Sequence, residues 1–163
     1  MRIYTDASTR GKYSGIALVL TDARDNEIYK KGTVIEERDN NTAELCAVLY
    51  ALEDIQYTDP KHVTIFTDSW YVISAVRNGA ARPKDNELIK GIRNYMSKIN
   101  SSLMWIKGHY RDGTVLSYYN KRADKMSKVV RRQYEKQVRK DEKARKKKAL
   151  LNDISYSKKT TRE

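Results

Sequence analysis

The sequence predicts an α/β sheet covered by helices, with a long basic helix after it, and three observations carry that prediction. Apolar residues near the N-terminus fall into short β-prone runs separated by turn chemistry. From Asn41 they recur instead at three- and four-residue steps along one helical face. Beyond that point strand-like and helix-like segments alternate, the pattern of a sheet with helices on its faces.

Each element has its own warrant. Ile3 to Ser8 is short and β-prone, and Tyr13 to Leu20 ends in a near-continuous aliphatic run that reads as a buried strand. Asp25-Asn26 is turn chemistry, after which Ile28 to Ile35 offers a third strand, so the chain opens on an antiparallel meander. Leu45, Val48, Leu49, Leu52 and Ile55 mark the first helix, which Asp59-Pro60 stops. His62 to Thr67 is a fourth strand, Ser69 to Val76 a helix, and Asn78-Gly79 a break. Leu88, Ile92, Tyr95, Met96 and Ile99 give another amphipathic helix, and Leu103 to Lys107 a fifth strand. A last helix from Asn120 carries the stripe Ala123, Met126, Val130 and Tyr134, then loses it. Residues 152–163 are polar and are expected to be disordered.

Composition narrows the function classes. With 163 residues the chain is one domain of ordinary size, taken as a body over residues 1–134 and a basic helical extension over 135–163. The longest aliphatic run, Ile16 to Leu20, is far too short to span a membrane, and no secretory signal is visible, so the expected location is the cytoplasm. One cysteine, Cys46, excludes an internal disulfide and a cysteine-rich zinc site, and reads as a buried hydrophobe. The net charge of +12 is unevenly placed: residues 1–120 hold 16 basic and 15 acidic residues, residues 121–163 hold 17 and 6. A near-neutral body with a basic arm suits a phosphate backbone or an anionic surface, and the run Lys143, Arg145, Lys146, Lys147 and Lys148 is its densest part.

Four acids stand out. Asp6 lies inside the first strand-like run, where Asp is disfavoured, and Asp68 ends the fourth. If those strands are neighbours, both carboxylates meet at one edge beside the helix carrying Glu44, while Asp124 begins the last helix. Clustered acids repel unless a cation neutralises them, which argues for a hard divalent metal with oxygen ligands. Bland explanations compete: Asn41 and Glu44 fit a capping box, Asp68 suits a helix cap, and Asp124 suits the first turns of a helix dipole. His109 follows the fifth strand, and a lone loop histidine is more often exposed than catalytic.

Taken in order, Tyr4-Thr5-Asp6-Ala7-Ser8, Asn40-Asn41-Thr42-Ala43-Glu44-Leu45, Phe66-Thr67-Asp68-Ser69, Trp105-Ile106-Lys107-Gly108-His109 and Asn120-Lys121-Arg122-Ala123-Asp124 closely resemble the type 1 ribonuclease H family over about residues 1–130. The resemblance implies a five-stranded mixed sheet, three strands antiparallel and two parallel. It also implies an endonuclease that cuts the RNA strand of RNA/DNA hybrids to 5′-phosphate and 3′-hydroxyl ends. By the same resemblance Asp6 bridges two Mg2+ ions, with Mn2+ an alternative, Glu44 and Asp68 complete the site of one, and Asp124 holds the other, which carries the attacking water. His109 matches a mobile-loop histidine that assists proton movement or product departure. Asn40 and Asn41 match amides that reach the minor groove, and Asn86 a polar residue near a DNA phosphate.

Some residues depart from the family pattern. Glu37 and Asp39 replace the usual Arg and Thr of a DNA-phosphate pocket, with Arg38 as a substitute, and Trp70 takes a position often Gln or apolar. Residues 78–86 are too few for the basic handle some bacterial members insert, which leaves the C-terminal arm to supply non-specific affinity. The loop between His109 and Asp124 reads as longer than usual. A monomer with no organic cofactor is expected. The competing classes are a catalytically silent nucleic-acid-binding module of the same fold, and a nuclease of that fold acting on another duplex or on branched DNA.

Overall fold

The computed structural model describes residues 1–56, 62–108 and 113–160, with side chains described up to residue 149. Strands β1 (Arg2–Arg10), β2 (Tyr13–Thr21) and β3 (Glu27–Ile35) are followed by α1 (Asn40–Ile55), β4 (Val63–Thr67), α2 (Trp70–Asn78), a 3-10 turn at Pro83–Asp85, α3 (Asn86–Lys98), β5 (Ser101–Trp105) and α4 (Val115–Thr160). The five strands form one sheet in the order β3-β2-β1-β4-β5. The pairs β1/β2 and β2/β3 are antiparallel, whereas β1/β4 and β4/β5 are parallel. The mixed sheet expected from the sequence is therefore present, and its central strand β1 is buried on both faces.

Strand alternation sorts the core. Ile3, Leu18, Leu20 and Ile65 face α1, α2 and α3, where Leu45, Val48, Leu52, Val72 and Ile92 close over them. On the other face Tyr4, Val19 and Phe66 meet Tyr119 and Ala123 from the first turns of α4, and Tyr4 stacks on Phe66 with 5.1 Å between ring centroids. The helix sits unusually close to the sheet there. A Cβ added to Gly15 would lie 2.1 Å from the Ser127 carbonyl oxygen, so only glycine on β2 admits the α4 backbone at this distance. Gly32 on β3 gives Val130 similar room.

Several local expectations are corrected. The N-cap of α1 is Asp39, whose carboxylate accepts from the Thr42 backbone N–H at 3.1 Å, so Asn41 and Glu44 do not form a capping box. The cap of α2 is Ser69, not Asp68. The β2–β3 turn is organised by Asp22, which accepts from the Arg24 and Asn26 backbone N–H groups, while Asp25 takes a left-handed φ of 64°. Helix α4 begins at Val115 rather than Asn120, so much of the apparent long loop after His109 is helical, and the backbone remains helical to Thr160 where disorder was expected. Cys46 is half-buried, and burial raises its thiol to about 11.

By internal contacts the chain divides into two compact units, Met1–Arg131 and Arg132–Glu163. In the second, Tyr134 is exposed, and so are Lys143, Arg145, Lys146, Lys147 and Lys148. Gln137 donates to Asp141 one turn on at 2.8 Å, a local bond of the kind that steadies a solvated helix.

Candidate active site

The parallel register of β1 and β4 pairs Arg2 with Thr64, Ile3 with Ile65 and Tyr4 with Phe66. Carried two residues further, it sets Asp6, midway along β1, beside Asp68, the residue that follows β4. Glu44, in the second turn of α1, comes over the same edge. One carboxylate oxygen from each of Asp6, Glu44 and Asp68 lies within 4.8 Å of the other two. Asp6 and Glu44 are each only 5% exposed and Asp68 is half-buried, so two of the three carboxylates are gathered where water screens them little.

The electrostatics record the strain. Burial pushes Asp6 up to about 7, Ser127 pulls it back through a hydrogen bond, and Asp68 and Asp124 raise it further by repulsion. Glu44 is raised well above the ordinary carboxylate range, first by burial and then by Asp6 and Asp68, with hydrogen bonds from the Ala7 backbone and Asn40 opposing. Its Oε2 is buried and meets no donor among the described residues. A buried acceptor with no partner costs on the order of 1–3 kcal/mol or more when charged, and a divalent cation would satisfy it. The residues present therefore fit a hard metal bound through oxygen.

Asp124 stands apart from this trio but within electrostatic reach of Asp6, and forms an ion pair with Lys128 one turn along α4. Ser127, fully buried, holds its Oγ 2.5 Å from Asp6 Oδ2 and 2.9 Å from the Asp124 carbonyl oxygen. Asp68 accepts from Asn120 Nδ2 at 3.1 Å, and the Trp105 indole donates to the Asp68 backbone carbonyl at 3.1 Å. Gly108 lies flat against that carboxylate, since a Cβ there would be 2.5 Å from Asp68 Oδ2. Sequence reasoning missed Ser127, Asn120 and Lys128 as site residues. The one available signal was helical spacing from Asp124, too common to be read alone.

The remaining expected residues are placed as follows. His109 lies outside the described residues. Asn40 and Asn41 are exposed in the first turn of α1, and Asn86 is exposed at the start of α3. Between them sits a second acidic group. Arg82 binds Asp39 through two nitrogens at 2.6 and 2.9 Å, and its Nε donates to Asp85 at 3.0 Å. The fully buried Asp85 also accepts from Tyr71 at 2.5 Å and Thr42 at 2.8 Å. Asp39 is thus held by its cap and by Arg82, and Glu37 accepts from the backbone N–H groups of Arg38 and Asp39.

A family model described as RNase H matches residues 1–132. The chain belongs to the RNase H family. The resemblance read from five motifs is borne out, as is the sheet it implied. Ribonuclease H of Nitratidesulfovibrio vulgaris (strain DP4) is 38% identical over 84 residues, 43% of this chain and 53% of that one, so the chain spans about half the length of the curated relatives it matches. Among solved RNase H structures, LC11-RNase H1, isolated from compost by a metagenomic approach, is similar at 26% identity and a TM-score of 0.69 over 82% of this chain and 96% of that one. The same protein in complex with an RNA/DNA hybrid matches equally well, covering 82% and 97%. RNase H1 of the halophilic archaeon Halobacterium salinarum NRC-1, at 21% identity and a TM-score of 0.65 over 79% and 95%, shares the fold.

Proposed function

We propose that the chain is a divalent-metal endonuclease that hydrolyses the RNA strand of RNA/DNA hybrids, leaving 5′-phosphate and 3′-hydroxyl ends. The observation that carries this reading is the convergence of Asp6, Glu44 and Asp68, with the buried Glu44 Oε2 unmatched by any donor. The hybrid complex of LC11-RNase H1 supports the substrate.

Asp6, Glu44, Asp68 and Asp124 hold two Mg2+ ions in this reading, with Mn2+ also suited to an all-oxygen site. Ions held there supply a lowered pKa for bound water and charge stabilisation at the incoming and departing oxygens. The chain's own residues do the rest. Ser127 fixes the orientation of Asp6, Asn120 that of Asp68, and His109 moves a proton or helps product leave. Asn40 and Asn41 read base edges and 2′-hydroxyls in the minor groove, where one strand of a hybrid offers 2′-hydroxyls and the other does not. Asn86 contacts the DNA strand. Lys143, Arg145, Lys146, Lys147 and Lys148 hold phosphates without regard to sequence. The same reading divides the protein into a catalytic domain over 1–134 and a basic extension over 135–163, and takes it to be a cytoplasmic monomer.

Labelled hybrid, single-stranded RNA, duplex RNA and duplex DNA, each with Mg2+ or with chelator, test it. Cutting confined to the RNA of the hybrid, and lost with chelator, is the expected result. Binding without cutting would mean a silent module, and cutting of another duplex a different substrate. Truncation after Tyr134 removes 11 basic and 5 acidic residues. It should weaken hybrid binding and flatten its salt dependence, which runs at about 0.9 per phosphate contact for B-form DNA, while single-turnover cleavage at saturating enzyme persists. Identical salt slopes for the full and truncated chains would remove the arm from the substrate.

A further inference from the structure

The two tryptophans of the chain are the part of this surface that neither the core nor the carboxylate chemistry uses. Trp70 opens α2 two residues after Asp68 and is 64% exposed, and Trp105 ends β5 and is 44% exposed. Their rings meet edge to face, with centroids 6.0 Å apart and planes at 88°. The Trp105 indole N–H is tied to the Asp68 carbonyl oxygen, which anchors the pair to the segment bearing a carboxylate of the site. Trp70 joins none of the three apolar clusters of the core. A large aromatic side chain left in water at the rim of a site is costly unless something packs on it.

Resting on the nuclease reading above, we propose that the Trp70–Trp105 pair is a contact surface for the nucleotide adjoining the scissile phosphate, on the strand being cut. Continuity decides the occupant: a strand whose phosphate sits at Asp6, Glu44 and Asp68 must pass the residues flanking Asp68. Beside its phosphate, a nucleotide presents the face of its sugar and, where unpaired, of its base. Both pack on an indole without regard to sequence. Trp70 supplies the face, and Trp105, held by its hydrogen bond, packs edge to face against it, a contact that a phenyl ring retains.

The test uses the full chain. Trp105→Phe leaves Trp70 as the sole indole, and its fluorescence should be quenched when a short RNA/DNA hybrid is added at low salt in chelator. Trp70→Ala should bind hybrid about five- to tenfold more weakly, and its KM in Mg2+ should rise by a like factor. The slope of log affinity against log salt should be unchanged, because an apolar contact neutralises no phosphate. Trp70→Phe should recover most of the loss, and circular dichroism melting should be unaltered for an exposed position. Wild-type affinity and KM in Trp70→Ala, or unquenched Trp70 fluorescence on hybrid that is bound, would overturn the proposal. So would an altered salt slope, which would mean an electrostatic role. Cleavage of hybrid by the wild-type chain, followed in parallel, tests the nuclease reading separately.

Discussion

Two groups of acids lie within the first unit of this molecule, and they are treated in opposite ways. Asp39 and Asp85 are matched: Arg82 reaches both, Tyr71 and Thr42 donate to Asp85, and the Thr42 N–H donates to Asp39. Hydrogen bonding to Arg82 holds Asp39 well below the usual carboxylate range. Burial alone would raise Asp85, but its donors outweigh that and keep it below as well. Asp6 and Glu44 are as hidden from water as Asp85, while Asp39 is only half-buried, yet burial and mutual repulsion push Asp6 and Glu44 upward. A buried aspartate is a tie at Asp85 and an unmet demand at Asp6. The difference is a guanidinium. Where a guanidinium binds them directly the carboxylates hold α1 to the turn before α3; at Asp6 and Glu44 the nearby cation, Lys128, pairs with Asp124 instead and leaves both raised.

The strongest way to break that contrast is Asp68→Asn. On the proposed nuclease reading, loss of one charge from the carboxylate cluster should abolish hybrid cleavage in Mg2+, while metal-free stability is kept or slightly raised because repulsion is relieved. Near-normal turnover, or a sharp fall in melting temperature, would put Asp68 in the structural class instead.

Arg82→Ala should do the reverse. It strips the cation from a fully buried Asp85 and removes the clamp on Asp39, at a cost of about 2 kcal/mol or more in denaturant unfolding. A variant as stable as wild type would mean that Tyr71 and Thr42 suffice.

pH sharpens the comparison, since the two groups pull in opposite directions. An unfolded Asp releases its proton near 3.9, whereas folded Asp6 keeps it to about 7. Across that window the folded chain binds more protons than the unfolded one, so this cluster costs stability progressively as pH rises in the absence of metal. Asp39 and Asp85, both lowered, stabilise the fold above about pH 4, and that contribution is lost as pH falls through their folded values. In chelator, Asp6→Asn should therefore gain melting temperature relative to wild type between pH 5 and 8. Added Mg2+ should raise the wild-type melting temperature more at pH 8 than at pH 5.5, because protons compete for the same oxygens. Equal metal effects at both pH values would refute the raised Asp6.

The smallest effect is expected from Ser127→Ala. Removing the hydroxyl that lowers Asp6 should reduce cleavage by roughly tenfold and move the acidic limb of the pH–rate profile upward. A uniform loss with no displacement of the profile would mean that Ser127 merely fills space.

Periodicity and residues out of place made much of this molecule legible before folding. The change from β-prone runs to three- and four-residue spacing sets the strands and helices, because side-chain direction alternates on a strand and advances by a fixed angle on a helix. Asp6 was legible because a charged residue inside an otherwise buried strand has no ordinary reason to be there. Glu44 was ambiguous until the helix start was known, and the choice of Asp39 over Asn41 as cap depends on which side-chain oxygen accepts from the backbone N–H groups of the first turn. The remaining features arise from contacts between distant parts of the folded chain. Ser127 meets Asp6 across 121 residues of chain, Arg82 joins Asp39 across 43, and Trp105 reaches Asp68 across 37. Gly15 became meaningful only when α4 was seen lying on it. Spacing along a sequence reports neighbours on one element, whereas these contacts form between elements whose separation and register are set by packing of the whole sheet.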